Sequence, residues 1–234
     1  SGGHDLLIRH QLLGFMEERE YLIALNMIPG IGRVLFQRLV DFFGKATAVF
    51  KASSDELQRV EGIGPKIAAD IVSFPVEKLL TREIEQARRR KVRILILSDE
   101  EYPVNLKSIF DPPPVLYVKG KIEKQDMISI AIVGTRTPTA YGKEVAEKFA
   151  SQLAEFGVTV VSGLARGVDS WAHRGAVKQK GRTIAVLGCG LDVIYPPENS
   201  RLYEEIFQRG AIISEFPFGV KPEKIHFPLR NRII

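Results

Sequence analysis

From Val92 onward the chain alternates short β-branched runs with amphipathic stretches, and no other feature limits its fold as strongly. Arg93-Ile-Leu-Ile-Leu97, Ile128-Ser-Ile-Ala-Ile-Val133, Val158-Thr-Val-Val161, Thr183-Ile-Ala-Val-Leu187 and Ala211-Ile-Ile213 each predict a strand. Lys143 to Phe156 and Ser170 to Lys180, lying between the later runs, predict helices. Strands that alternate with helices build a mainly parallel sheet covered on both faces, a doubly wound α/β domain. Pro112-Pro-Pro114 reads as a stiff connector inside this segment rather than as a boundary.

The preceding residues have a different texture. Between Glu17 and Phe74 apolar residues recur at helical spacing, as in Tyr21 to Leu25, Val34 to Phe43 and Ile67 to Val72. Ser53-Ser-Asp-Glu56 has the form of a helix start. Pro29-Gly-Ile-Gly32 and Glu61-Gly-Ile-Gly-Pro-Lys66 repeat one pattern, a tight turn between two short helices. Gly30, Gly32, Gly62 and Gly64 would leave backbone N–H groups at helix starts, where a phosphate can sit, and Lys66 adds charge beside the second turn. The pair resembles the tandem helix-hairpin-helix used for sequence-independent DNA binding. The same pattern also serves simply to dock on a neighbouring domain, and both readings stay open. The expected organisation is a tag or leader over 1–15, a helix-hairpin-helix or SAM-like domain over 16–80, and the α/β core over 81–234.

Composition narrows the class. Hydrophobic residues make up 45% and charged residues 26%, which excludes a disordered chain. No apolar run approaches the roughly 20 residues of a membrane span and no secretory signal opens the sequence, so no membrane partner is expected. Cys189 is the single cysteine, which rules out a disulfide within the chain and makes a cytoplasmic location the expectation. The 33 Lys and Arg against 28 Asp and Glu leave a charge of +5, compatible with an anionic partner without requiring one.

Ligands of open parallel sheets bind beyond the carboxyl ends of the strands. There the sequence reads Gly134-Thr-Arg136, Ser162-Gly-Leu-Ala-Arg-Gly167, Gly188-Cys-Gly190 and Ser214-Glu-Phe-Pro217. Small and polar residues with Arg136 and Arg166 suit phosphate. Neither a dinucleotide Gly-x-Gly-x-x-Gly nor a P-loop is present, so neither cofactor is expected. His4, His10, His173 and His226 are scattered and Cys189 has no partner at ligand spacing, so no metal is expected either. A Cys189 nucleophile would need His173 as its base. The plainer expectation is that His173 and Asp169 hold the turn into the following helix by local hydrogen bonds.

Four segments then occur in order: Ile132-Val-Gly-Thr-Arg136, Ser162 to His173, Ala185 to Asn199, and Phe227-Pro-Leu-Arg-Asn-Arg-Ile-Ile234. Together with Tyr102-Pro103, Leu106 and Pro113 to Gly120, they resemble the DprA (Smf) family of DNA-processing proteins over about residues 20 to 234. The resemblance implies a Rossmann-like core, no enzymatic activity and no cofactor. It also implies single-stranded DNA binding largely without sequence preference, protection of incoming strands in natural transformation, and loading of RecA. Carried over by motif, Gly134, Thr135 and Arg136 would hold phosphate, with Ser162, Gly163 and Gly167 adding donors. Arg182 would reach another phosphate, and Arg230, Asn231 and Arg232 would close the pocket. Tyr195 and Phe218 are base-stacking options that core packing explains equally well. The family's core continues past the Arg-Asn-Arg motif, so the core over 81–234 is expected to be incomplete at its C-terminus and homodimerisation to use the part that is missing. The alternative class is a Rossmann-like nucleotide phosphoribohydrolase, whose Pro-Gly-Gly-x-Gly-Thr-x-x-Glu run does not occur here.

Overall fold

The computed structural model describes residues 16–234, so the expected leader over 1–15 lies outside the described residues. The chain divides into a compact unit ending at Glu85 and a second one running from Gln86 to Ile234. The described residues of the first form only helices: α1 (Glu18–Asn26), α2 (Arg33–Phe43), α3 (Ala46–Lys51), α4 (Ser54–Leu57), α5 (Pro65–Ser73) and most of α6 (Val76–Arg90). Tyr21, Leu25, Leu39, Val49, Leu57 and Ile71 are fully buried and form its centre. The expected boundary between residues 80 and 81 falls inside α6, where the charged run from Glu77 to Arg90 still carries Leu80 and Ala87 on a buried stripe.

Both Gly-Ile-Gly turns form as expected. Gly30 and Gly62 have φ of 85° and 89°, and Gly32 and Gly64 are the N-caps of α2 and α5. Ile31 and Ile63 are buried in the helical core, so each turn is anchored from below. The first turn is open around its glycines, whereas a Cβ on Gly62 would lie 2.8 Å from Leu35 Cδ2. Arg38 also bridges to this second turn, donating to the Glu61 carbonyl at 3.0 Å. Lys66 stands exposed beside it.

The second unit holds a six-stranded sheet in the order β1-β2-β6-β5-β4-β3. Its strands are β1 (Val92–Ile96), β2 (Val115–Gly120), β3 (Ser129–Ala131), β4 (Thr159–Ser162), β5 (Thr183–Val186) and β6 (Ala211–Ser214). The last four are parallel, and β2 alone runs against both of its neighbours. The architecture is α/β and Rossmann-like, as the alternating pattern predicts. Helices α8 (Ala140–Glu155), α9 (Val168–Lys178) and α10 (Ser200–Arg209) cross between successive parallel strands. Because those strands lie side by side in chain order, right-handed crossovers put all three helices on one face. Ala150, Ala154, Ala172 and Ala176 let α8 and α9 close on each other and on Val160. The opposite face packs Val161, Ile184, Val186 and Ile213 against Tyr102 and Leu106, at the short helix α7 (Val104–Lys107), and against Ile233.

Candidate nucleic-acid interface

Every parallel strand delivers its following loop to one edge of the sheet, and the loops after β3 and β4 interlock there. After β3, the Thr135 carbonyl accepts the Val168 N–H at 3.1 Å. After β4, Gly167 adopts φ 84°, and a Cβ on it would run into the Thr135 oxygen, so no side chain fits there. A Cβ on Gly134 would lie 2.8 Å from Val168 Cγ2. These glycines serve loop-to-loop contact. Gly167→Ala is expected to cost about 1–3 kcal/mol of stability and to displace Arg136, which chemical denaturation and strand titration of the same variant would show.

A buried carboxylate organises the edge from beneath. Asp169, at the second position of α9, is 5% exposed and accepts the Gly163 N–H at 3.1 Å. Burial pushes its carboxyl above the usual range, opposed by the charge of Arg230 and by hydrogen bonds from the N–H groups of Ala165, Gly163 and Gly134. Arg230 enters from α11 (His226–Asn231), also 5% exposed, and donates through Nη1 to the carbonyls of Gly163 at 2.8 Å and Val186 at 2.5 Å. Its guanidinium fills the space a Gly163 Cβ would need, with atoms 2.5–2.6 Å from that position. Burial holds the Arg230 pKa below normal, although Asp169 acts to raise it. The Ser162 hydroxyl donates to the Ile132 carbonyl at 2.6 Å and ties β4 to the end of β3. The N–H and hydroxyl donors expected to meet phosphate at Gly134, Gly163 and Ser162 are therefore committed within the protein.

What this edge still presents to a ligand is therefore chiefly side chains. A narrow pocket of about 40 Å³ opens among Arg136, Gly163, Arg166, Tyr195, Phe227 and Arg230. It has room for a phosphate but not for a base, since a single water already requires roughly 10–15 Å³ on this scale. The aromatic rings lie at the rim. Tyr195 and Phe227 have centroids 6.0 Å apart, and the Arg136 guanidinium sits 5.1 Å from the Phe227 centroid. Phe227 is a site residue that the sequence reasoning did not single out. Its signal is its position three residues before Arg230, the helical spacing that puts both on one side of α11.

Two of the five arginines expected at this edge lie elsewhere. Arg182 immediately precedes β5 and so belongs to the amino edge of the sheet. There it binds Asp126 through Nε at 2.8 Å and Nη2 at 2.7 Å. Arg232 points to the face opposite the crossover helices and pairs with Glu215 at 2.5 Å and Asp111 at 3.1 Å. Asn231 is exposed and its Oδ1 accepts from Arg230 Nε at 3.2 Å. Phe218 is half-buried and packs edge-on against Tyr117, 5.4 Å away. His173 is fully buried against Thr183 and the Ser162 backbone at the start of the loop: the Thr183 hydroxyl donates to the Val160 carbonyl and therefore accepts from Nδ1. Desolvation drives its pKa down to about 3, and burial drives the Cys189 thiol up to about 12. Among the described residues no cluster of three or more His, Cys, Asp or Glu could hold a metal, and no helix is long and apolar enough to cross a membrane.

Comparison with known proteins shows the family. A sequence profile of the DNA recombination-mediator protein A family matches residues 93–234, more than half of the chain, and one of the helix-hairpin-helix motif matches residues 21–81. The chain belongs to the DNA recombination-mediator protein A family. Protein Smf from Synechocystis is 42% identical over 221 residues, covering 93% of this chain. The chain spans 56% of that relative's length. The structure of DNA processing protein A from Streptococcus pneumoniae superposes with a TM-score of 0.74 at 30% identity, covering 92% of this chain and 73% of that one. DNA processing protein A from Helicobacter pylori, described for its single-stranded DNA binding mode, matches at TM-score 0.55 and 37% identity. That match covers 62% of this chain and 64% of the other.

Proposed function

We propose that the carboxyl edge of the sheet binds single-stranded DNA with little sequence preference, as part of a protein that protects incoming strands and helps load RecA during transformation. The observation that carries this reading is the convergence of Arg136, Arg166 and Arg230 on a phosphate-sized pocket rimmed by Tyr195 and Phe227. Cations that meet the backbone and rings that meet unpaired bases give affinity without reading sequence. A duplex keeps its bases stacked inside and cannot offer them to the rim. The single-stranded DNA binding of the Helicobacter pylori protein supports the same ligand class.

The reading is of a binding module in the cytoplasm and not of an enzyme. A thiol held near pKa 12 and an imidazole held near 3 supply neither nucleophile nor base at neutral pH. The open Gly30–Gly32 turn is proposed as a secondary DNA contact, while the Gly62–Gly64 turn is already packed against α2. RecA loading and self-association belong to the proposal for the whole protein and are assigned to no residue of this chain.

The test is titration with single- and double-stranded oligonucleotides across a salt series. Tight, salt-sensitive binding that prefers single strands is expected. Arg136→Ala should weaken it by about 1–3 kcal/mol, the loss of one charge-assisted contact. Equal affinity for both forms of DNA, or unchanged affinity in a folded Arg136→Ala protein, would overturn the reading.

A further inference from the structure

We propose that Glu198 is an internal competitor for the strand, a carboxylate that occupies Arg166 in the free protein and that a DNA phosphate must displace. The inference rests on the reading of this edge as a DNA-binding site. The three cations of the pocket are held differently. Arg230 is committed to two carbonyls and Arg136 lies over the Phe227 ring. Arg166 donates from Nε to the Glu198 carboxylate. Both side chains of this pair are about half exposed, at 59% and 50%, so an incoming phosphate can reach the guanidinium.

Most surface pairs contribute little, because two flexible chains must be ordered for a screened attraction. This one is mounted. Glu198 sits in a single 3₁₀ turn (Pro197–Asn199), and the two prolines ahead of it, Pro196 and Pro197, restrict its backbone. The next residue, Asn199, is buried and donates from Nδ2 to the Leu164 carbonyl at 2.9 Å and to the Ser170 hydroxyl at 2.8 Å. Ser170 in turn donates to the Ala165 carbonyl at 2.6 Å. The turn that carries Glu198 is thereby fastened to the loop that carries Arg166, two residues and one residue before it. The hydrogen bond from Arg166 holds the Glu198 carboxyl below the ordinary range, so it is charged at neutral pH.

The consequence is a threshold. A lone anion must evict Glu198 for one contact. A strand already held along this edge through its other nucleotides presents a phosphate to Arg166 at high effective concentration. Glu198 therefore favours a continuous strand over small phosphates.

The experiment measures binding of a fluorescent single-stranded oligonucleotide by wild type, Glu198→Gln, Arg166→Ala and the double variant. Glu198→Gln should tighten binding about three- to tenfold at low salt, and the gain should shrink as salt rises. In the Arg166→Ala background the same substitution should bring no gain. Unchanged or weaker binding by Glu198→Gln would overturn this proposal alone, since the carboxylate would then be orienting Arg166 rather than competing for it. A gain that persists without Arg166 would overturn it as well, by showing only a change in net charge. Failure of the wild type to bind would overturn the underlying reading and this proposal together.

Discussion

Arg230→Ala is expected to lose about 3–5 kcal/mol of unfolding free energy, the cost of leaving a buried opposite charge and two buried carbonyls without the guanidinium beside them. The substitution strips the donors from the buried carbonyls of Gly163 and Val186 and leaves Asp169 without the neighbouring cation. Arg230→Lys keeps the charge but not the planar fork, and one ammonium on a flexible stem cannot reproduce the guanidinium that packs on Gly163. Urea denaturation should rank the proteins wild type, then Lys, then Ala. The deficit should also depend on pH in a defined direction. The Asp169 carboxyl is already raised above the usual range by burial, and loss of Arg230 raises it further. A folded-state pKa above the unfolded one means that ionising the group costs stability as pH rises toward and through the folded value. The alanine variant should therefore recover part of its deficit as pH falls from neutral. An equal deficit at every pH would show that Asp169 does not contribute to it.

Why Arg230 matters in this way could not be read from its own segment. The sequence pattern makes strands legible because β-branched runs between turn residues have few other uses, and five of the six strands fall on such runs within a residue or two. The exception, β2, runs directly out of Pro112-Pro-Pro114, whose connector signal hides the strand that follows it. Its core residues Val115 to Val118 are completely buried, and a short apolar run carries no periodicity to separate strand from buried helix. The arginines divide along the same line. Arg136 and Arg166 follow parallel strands, and position after a strand is a topological fact available from sequence. Arg182 precedes β5, and the same reasoning puts it at the opposite edge, where the structure has it. Arg230 and Arg232 lie two residues apart near the end of α11, and only tertiary packing decides that one enters the strand-end loops while the other crosses to the far face. Gly163 shows the limit most plainly. A glycine after a strand suggests a backbone that approaches a phosphate, but here its N–H is taken by Asp169 and its open side by a guanidinium.

The amino edge offers the second large effect, and it tests the separation of the two edges. Asp126→Ala is expected to destabilise the fold by about 3–5 kcal/mol, because the Asp126 carboxylate is 6% exposed and fully used. Its Oδ1 accepts from the Thr159 hydroxyl at 2.7 Å and Arg182 Nε at 2.8 Å. Its Oδ2 accepts from Arg182 Nη2 and from the Glu123 N–H, both at 2.7 Å. One side chain thus joins the start of β4, the residue before β5 and the 3₁₀ turn (Lys124–Met127) ahead of β3. Burial alone would raise its pKa, but the hydrogen bonds from Arg182, the Glu123 N–H and Thr159 outweigh it and hold the carboxyl below the usual carboxylate range. A depressed folded-state pKa gives stability that is complete above the unfolded value and is lost as pH falls through the folded one. Asp126→Asn keeps the shape without the charge, so its deficit against wild type should be constant from neutrality to about pH 4 and should shrink below it. Strand affinity of the folded Asn variant should match wild type, because Arg182 lies at the edge remote from Arg136. A loss of affinity comparable to that of Arg136→Ala would restore Arg182 to the binding surface and force the strand to span both edges of the sheet.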